Sequence, residues 1–97
     1  MTDQEENITI KRGQEFKIIL ESNPTSGFRW FPTFDVSIIN LISHDFQSST
    51  ATRIGSPGKD IFTFLAIRSG SDKLKMLYKR SWEERFVAER VFVINVK

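Results

Sequence analysis

The sequence predicts an all-β protein, an immunoglobulin-like antiparallel β-sandwich of about seven or eight strands. Short runs of apolar residues alternate with polar ones at the period of two that is typical of half-buried strands. Turn-forming residues separate these runs, and no segment has the period of an amphipathic helix. Nine phenylalanines and many β-branched residues, which favour strands, occupy the runs.

The first two strands are predicted before residue 23. Residues 1–7 are polar, and we expect them to form a flexible tail. Ile8 and Ile10 alternate with polar neighbours up to a turn at Arg12–Gly13. The alternating apolar residues of the next, half-buried strand are Phe16, Ile18 and Leu20.

The middle of the chain predicts two further strands. A strand containing Phe28 and Trp30 is interrupted by Pro32, so it should be short or lie at a sheet edge. An apolar patch follows from Ile38 to Ile42, and it ends near His44.

The last third predicts three strands. Residues 61–67 form a strongly apolar run, and residues 69–72 are a predicted turn. Leu74, Met76 and Tyr78 alternate with lysines, which predicts one wet face. The segment 79–85 breaks the pattern, and residues 91–96 form the closing strand.

Composition limits the chemistry that is available. The 97 residues suit one domain, 1–97, and the absence of cysteine excludes disulfides and thiol chemistry. His44 is the single histidine, too few for a zinc site and without a marked nucleophile for a Ser-His-Asp triad. Glu83 and Glu84 are adjacent and would point to opposite faces of an extended segment. We therefore expect a protein that is not an enzyme and uses no cofactor and no metal.

No signal peptide and no bilayer-length apolar stretch is recognisable. The sequence as written predicts a cytoplasmic monomer that does not act at a membrane, although a secreted or organellar mature form would look the same.

Three short motifs contain residues that are unusual within strands. The first is Asn23-Pro24-Thr25-Ser26-Gly27-Phe28, in which proline and glycine restrict or direct the backbone. The second is Gly55-Ser56-Pro57-Gly58, and the third runs from Tyr78 through Arg80-Ser81-Trp82. Their order and spacing resemble the chagasin family of inhibitors of papain-like cysteine proteases, from about residue 8 to the C-terminus.

The resemblance is strongest in the first motif, where the family shows NPTTG followed by an aromatic residue. Ser26 is a conservative departure from that pattern. In the second motif Pro57 replaces a glycine of the family's GxGG, and in the third Ser81 replaces the proline of RPW.

The resemblance implies a reversible, competitive inhibitor whose three loops gather at one end of the sandwich and block a protease cleft. Its implied partners are papain-like (cathepsin-like) cysteine proteases. The implied protease-binding residues are Asn23, Pro24, Thr25, Ser26, Gly27, Phe28, Gly55, Ser56, Pro57, Gly58, Arg80, Ser81 and Trp82. Trp82 has polar neighbours and is expected to be exposed, whereas Trp30 lies on a strand and is expected in the core.

Two other functions fit parts of the sequence. Residues 53–97 carry ten Lys and Arg against five Asp and Glu, with aromatic residues among them, as in a small β domain that binds single-stranded nucleic acid. A non-inhibitory immunoglobulin-like adhesion or structural module also needs no catalytic group. Neither function requires the first motif, so we expect no nucleic-acid partner.

Overall fold

The computed structural model describes residues 5–23, 26–48 and 58–97. These residues form seven strands and the turns between them, and none lies in a helix long and apolar enough to cross a membrane. The strands are β1 (Glu5–Ile10), β2 (Glu15–Ser22), β3 (Phe28–Thr33), β4 (Ile39–Ser48), β5 (Gly58–Ala66), β6 (Gly70–Arg80) and β7 (Phe86–Val96).

The strands form two sheets, ordered β1-β7-β6-β3 and β2-β5-β4. All neighbouring strands are antiparallel except β1 and β7, which pair in parallel from Glu5↔Val91 to Ile10↔Val96. The predicted sandwich is therefore confirmed, with one parallel edge pair that the sequence pattern does not reveal. Pro32 lies in β3, which is an edge strand and therefore has a neighbouring strand on one side only. A residue without a backbone N–H is tolerated at such an edge.

The core lies between the sheets and comes from the alternation that the sequence shows. On β2, Phe16, Ile18 and Leu20 are buried while their neighbours on the strand face solvent. Residues of β5 lie beside them in the same sheet, and residues of β6 and β7 come from the other sheet. The residues most fully buried are Phe62, Phe64, Ile39, Leu74, Met76 and Ile94. These contacts hold the two sheets at a fixed distance and so position the loops at their ends.

Several element boundaries differ from the predicted ones. β1 begins at Glu5, so residues 5–7 pair with β7 and are not part of a tail. β4 continues past His44 to Ser48, and β7 begins at Phe86, five residues before the predicted start. The added residues are mostly exposed, because they pair through the backbone without burying a side-chain face. Gly70, with φ of +146°, already opens β6, so the predicted turn at 69–72 is shorter.

Candidate functional site

The strand registers bring the described residues of the three motifs to one end of the sandwich. Ser22, the last residue of β2, is paired with Gly58, which is also paired with Ser48 at the end of β4. In the other sheet, Phe28 at the start of β3 is paired with Arg80 at the end of β6. The strand ends that flank the first loop (residues 23–27), the second loop (49–57) and the third loop (81–85) therefore lie on the same side of the sandwich.

The described part of the first loop is closed on itself by Ser26. Its backbone N–H and its hydroxyl both donate to the Asn23 carbonyl oxygen, at 3.1 and 2.7 Å, and its hydroxyl accepts from the Phe28 N–H at 3.2 Å. Gly27 has φ of +84°, which favours glycine. A threonine hydroxyl has the same hydrogen-bonding capacity, so Ser26 can make the same hydrogen bonds as a threonine at this position. Pro24 and Thr25 lie outside the described residues.

Tyr78 supports this loop from below. Its hydroxyl accepts a long hydrogen bond from the Asn23 N–H at 3.5 Å, and its ring stacks on Phe28 with centroids 5.5 Å apart. On the same side, Trp30 packs on Tyr78 at 4.7 Å and donates from Nε1 to the Glu21 carbonyl oxygen at 3.0 Å. These contacts tie the ends of β2, β3 and β6 together beneath the loop.

The third loop is a tight turn held at both ends. The Glu83 N–H donates to the Arg80 carbonyl oxygen at 3.1 Å, and Lys79 Nζ donates to the Glu83 carbonyl oxygen at 3.0 Å. The Arg80 and Glu83 side chains are 3.7 Å apart. Ser81 is exposed, and Trp82 is 72% exposed, as the sequence predicts.

The first and third loops touch through Trp82 and Gly27. A Cβ atom placed on Gly27 would lie 3.7 Å from Trp82 Cη2, so the bare glycine backbone faces the edge of the indole ring. Arg80 lies over the Phe28 ring, with Cζ 4.6 Å from the ring centroid. The structure thus brings together Asn23, Ser26, Gly27, Phe28, Arg80, Ser81 and Trp82 as one surface at the end of the sandwich.

Of the second motif, Gly58 alone lies within the described residues, whereas Gly55, Ser56 and Pro57 lie outside them. Gly58 is buried between the ends of β2 and β4. A Cβ there would overlap the Phe46 ring and the Gln47 carbonyl oxygen. Close packing therefore requires a glycine at position 58, where the second loop joins β5. Gly58 itself is buried and lies beneath the loop surface.

Comparison with known proteins identifies the family of this chain. A profile of the chagasin family peptidase inhibitors, family I42, matches residues 9–96. The chain belongs to this family. The resemblance seen in the three motifs is thereby confirmed, and the protein is an inhibitor and not an enzyme.

Individual relatives agree with this family assignment. Amoebiasin-1 of Entamoeba histolytica is 27% identical over 89 residues, which are 92% of this chain and 86% of the relative. The crystal structure of the cysteine protease inhibitor EhICP2 from Entamoeba histolytica superposes with a TM-score of 0.85 at 18% identity, covering 98% of this chain and 88% of the other. The structure of PbICP-C in complex with falcipain-2 gives 0.63 at 19% identity, covering 98% and 91%. At these identities the two structures support the fold.

His44, the candidate that the sequence offers for catalysis, has a structural partner. Its Nε2 is 2.8 Å from Asp60 Oδ1, and its ring stacks on Phe62 with centroids 4.1 Å apart. The pair lines a cleft of about 240 Å³ together with Ser22 and Phe46, below the loops. Within the described ranges, no group of three or more His, Asp or Glu side chains could hold a metal ion. His44 joins β4 to β5 at the end that carries the second loop.

Sequence reasoning placed Tyr78 at the start of the third motif but assigned no role in the site to Tyr78, Lys79 or Glu83. Tyr78 alternates with the buried Leu74 and Met76, which is the signal that it points between the sheets. Lys79 and Glu83 act through a backbone carbonyl, and a sequence pattern carries no signal for that contact.

Proposed function

We propose that this protein inhibits papain-like cysteine proteases reversibly and competitively by placing its loop end across the active-site cleft. The observation that carries the proposal is the contact between the exposed Trp82 and Gly27, which joins two loops into one protruding surface. EhICP2, which shares the fold, is a cysteine protease inhibitor. The first loop would enter the cleft and the third would lie along one wall.

The hydrogen bonds within the first loop explain why such an interaction is tight and does not lead to cleavage. Ser26 closes the described part of the loop into a turn, whereas a protease substrate binds in an extended conformation. The described ends of the loop are already held by these hydrogen bonds, so they lose little conformational entropy on binding. Interfaces between proteases and rigid protein inhibitors are of standard size and among the tightest known.

The test is a titration of papain with the protein, using a fluorogenic peptide substrate. We expect stoichiometric loss of activity that higher substrate concentrations reverse. Papain that is alkylated at its catalytic cysteine, added in excess to the active enzyme, provides the control. Because its cleft is already occupied, it should take up little inhibitor and leave the inhibition of active papain nearly unchanged. Trypsin should keep its activity at micromolar inhibitor. Equal loss of papain and trypsin activity, or no loss of either, would contradict the proposal.

A further inference from the structure

The Arg80 side chain contacts three other residues of the candidate site. Its guanidinium carbon lies 4.6 Å from the centroid of the Phe28 ring and 5.9 Å from that of Trp82. Its Nη1 is 3.7 Å from Glu83 Oε1. One cation therefore contacts the residue after the first loop and two residues of the third.

One of these contacts is with Trp82, a side chain that otherwise has few neighbours. Trp82 is 72% exposed, and an unsupported indole in a loop would sample several rotamers. Gly27 meets its Cη2 edge, and Arg80 lies over its ring. The interaction of a guanidinium with an aromatic face is attractive and favours one orientation of the ring. The indole is thus oriented before any partner arrives.

We infer that Arg80 is a positioning residue of the inhibitory surface: it holds the Trp82 indole against the first loop and contributes to protease binding through Trp82. This inference rests on the proposed function, in which Trp82 contacts the protease. Ordering the indole in advance removes part of the entropy that binding would otherwise lose. Arg80→Ala should therefore weaken inhibition even where Arg80 does not touch the protease.

A double-mutant cycle on papain inhibition tests the inference. Arg80→Ala should raise the inhibition constant about threefold to thirtyfold, the range given by the strength of a cation–π contact. In a Trp82→Ala background the same change should raise it by less than about twofold, because the side chain that Arg80 positions is gone. Arg12→Ala removes the same charge from an exposed position between β1 and β2, at the opposite end of the sandwich, and should leave inhibition unchanged. Equal effects of Arg80→Ala in both backgrounds would overturn the inference.

A second measurement needs no protease. The Trp82 indole N–H gives an NMR signal that Trp30→Phe distinguishes from that of the second tryptophan. Its 15N heteronuclear NOE should fall in Arg80→Ala and stay unchanged in Arg12→Ala. An unchanged NOE in Arg80→Ala would refute the positioning role. If the wild-type protein fails to inhibit papain, the proposed function is wrong, and the NOE still decides whether Arg80 orders the indole.

Discussion

The two tryptophans show how one residue type serves two purposes within the same end of the molecule. Trp82 exposes most of its indole, with Gly27 at one edge. Trp30 packs against the core, but it is only partly buried, so the prediction of a core position is correct in part. Its ring rests on Tyr78 and its Nε1 is bonded to the Glu21 carbonyl oxygen. Trp30 is a support of the site, and Trp82 is its exposed surface.

Replacing each tryptophan by alanine should separate binding from stability. Trp82→Ala should leave the thermal melt nearly unchanged and weaken papain inhibition by about 2–4 kcal/mol, as for a hot-spot aromatic. Trp30→Ala should cost about 2–3 kcal/mol of unfolding free energy, below the roughly 3–5 kcal/mol of a fully buried aromatic. Melts and inhibition constants of both variants check this. A protein unfolded by Trp82→Ala would show that the indole is structural.

The close packing around the Gly58 backbone leads to a prediction about stability and inhibition. Gly58→Ala should lower stability by about 1–3 kcal/mol, because the added methyl forces Phe46 and Gln47 away. It should also weaken inhibition, since the second loop ends there and joins β5. Gly13→Ala is the control: Gly13 has φ of +92° and open space around it at the far end of the sandwich. That variant should lose stability and keep its inhibition constant. Equal inhibition by both variants would argue against a role for Gly58 in placing the loop.

At the scale of elements, strands with one buried face were predictable and strands held mainly by backbone pairing were not. β2 alternates buried and exposed residues along its whole length, and its pattern alone places it. The second half of β4 and the first half of β7 are exposed, so their sequences resemble loops although their backbones are paired. Pairing of this kind depends on the neighbouring strand, which a local pattern does not contain.

The His44–Asp60 contact should stabilise the pairing of β4 with β5 beneath the second loop. His44→Ala leaves the nearly buried Asp60 carboxylate without the imidazole and should cost about 1.5–3 kcal/mol of unfolding free energy. Replacing both residues, as in His44→Phe with Asp60→Leu, should cost less than the single change, because no polar group is stranded. Urea unfolding of the three proteins measures this. A double variant less stable than the single one would contradict it.

The turn between β3 and β4 provides a pH-dependent prediction. Hydrogen bonds from the Ser37 hydroxyl and backbone N–H to Asp35 Oδ1, together with the charge of Arg68, lower the pKa of the Asp35 carboxyl despite slight desolvation. Its contribution to stability is therefore present above the unfolded-state pKa and is lost as pH falls through the lowered folded-state pKa. NMR titration should give a pKa below that of ordinary aspartate, and Ser37→Ala should raise it. An unchanged pKa in that variant would show that Ser37 is not the cause.

For the whole molecule, the sequence predicts which residues form the site better than it predicts how the fold brings them together. The first motif, Arg80 and Trp82 were predictable because their order and spacing resemble the pattern of the chagasin family. The contact of Trp82 with Gly27 depends on β3 lying beside β6, a pairing between segments about fifty residues apart. The support by Tyr78 depends on the same pairing. Long-range register of this kind is a property of the folded sandwich.

The response to salt distinguishes inhibition by shape from attraction by charge. The C-terminal half of the chain is basic, but the loop end combines Arg80, Glu83 and an exposed indole, so its charges are largely balanced. Raising NaCl from about 50 to 200 mM should therefore change the papain inhibition constant by less than about tenfold, because screening weakens only exposed charge pairs. A protein that neutralised several phosphates of a single-stranded nucleic acid would lose roughly a thousandfold in affinity over the same range.

The same salt series, run with a fluorescently labelled single-stranded oligonucleotide, gives the matching control. Weak oligonucleotide binding at all salt concentrations, with papain inhibition nearly constant, is the expected result, because the Phe28 ring stacks on Tyr78 and contacts Arg80. Rings engaged in this way are not arranged as a platform on which successive bases stack. Tight oligonucleotide binding that salt abolishes, in a protein that leaves papain active, would assign the loop end to a nucleic acid.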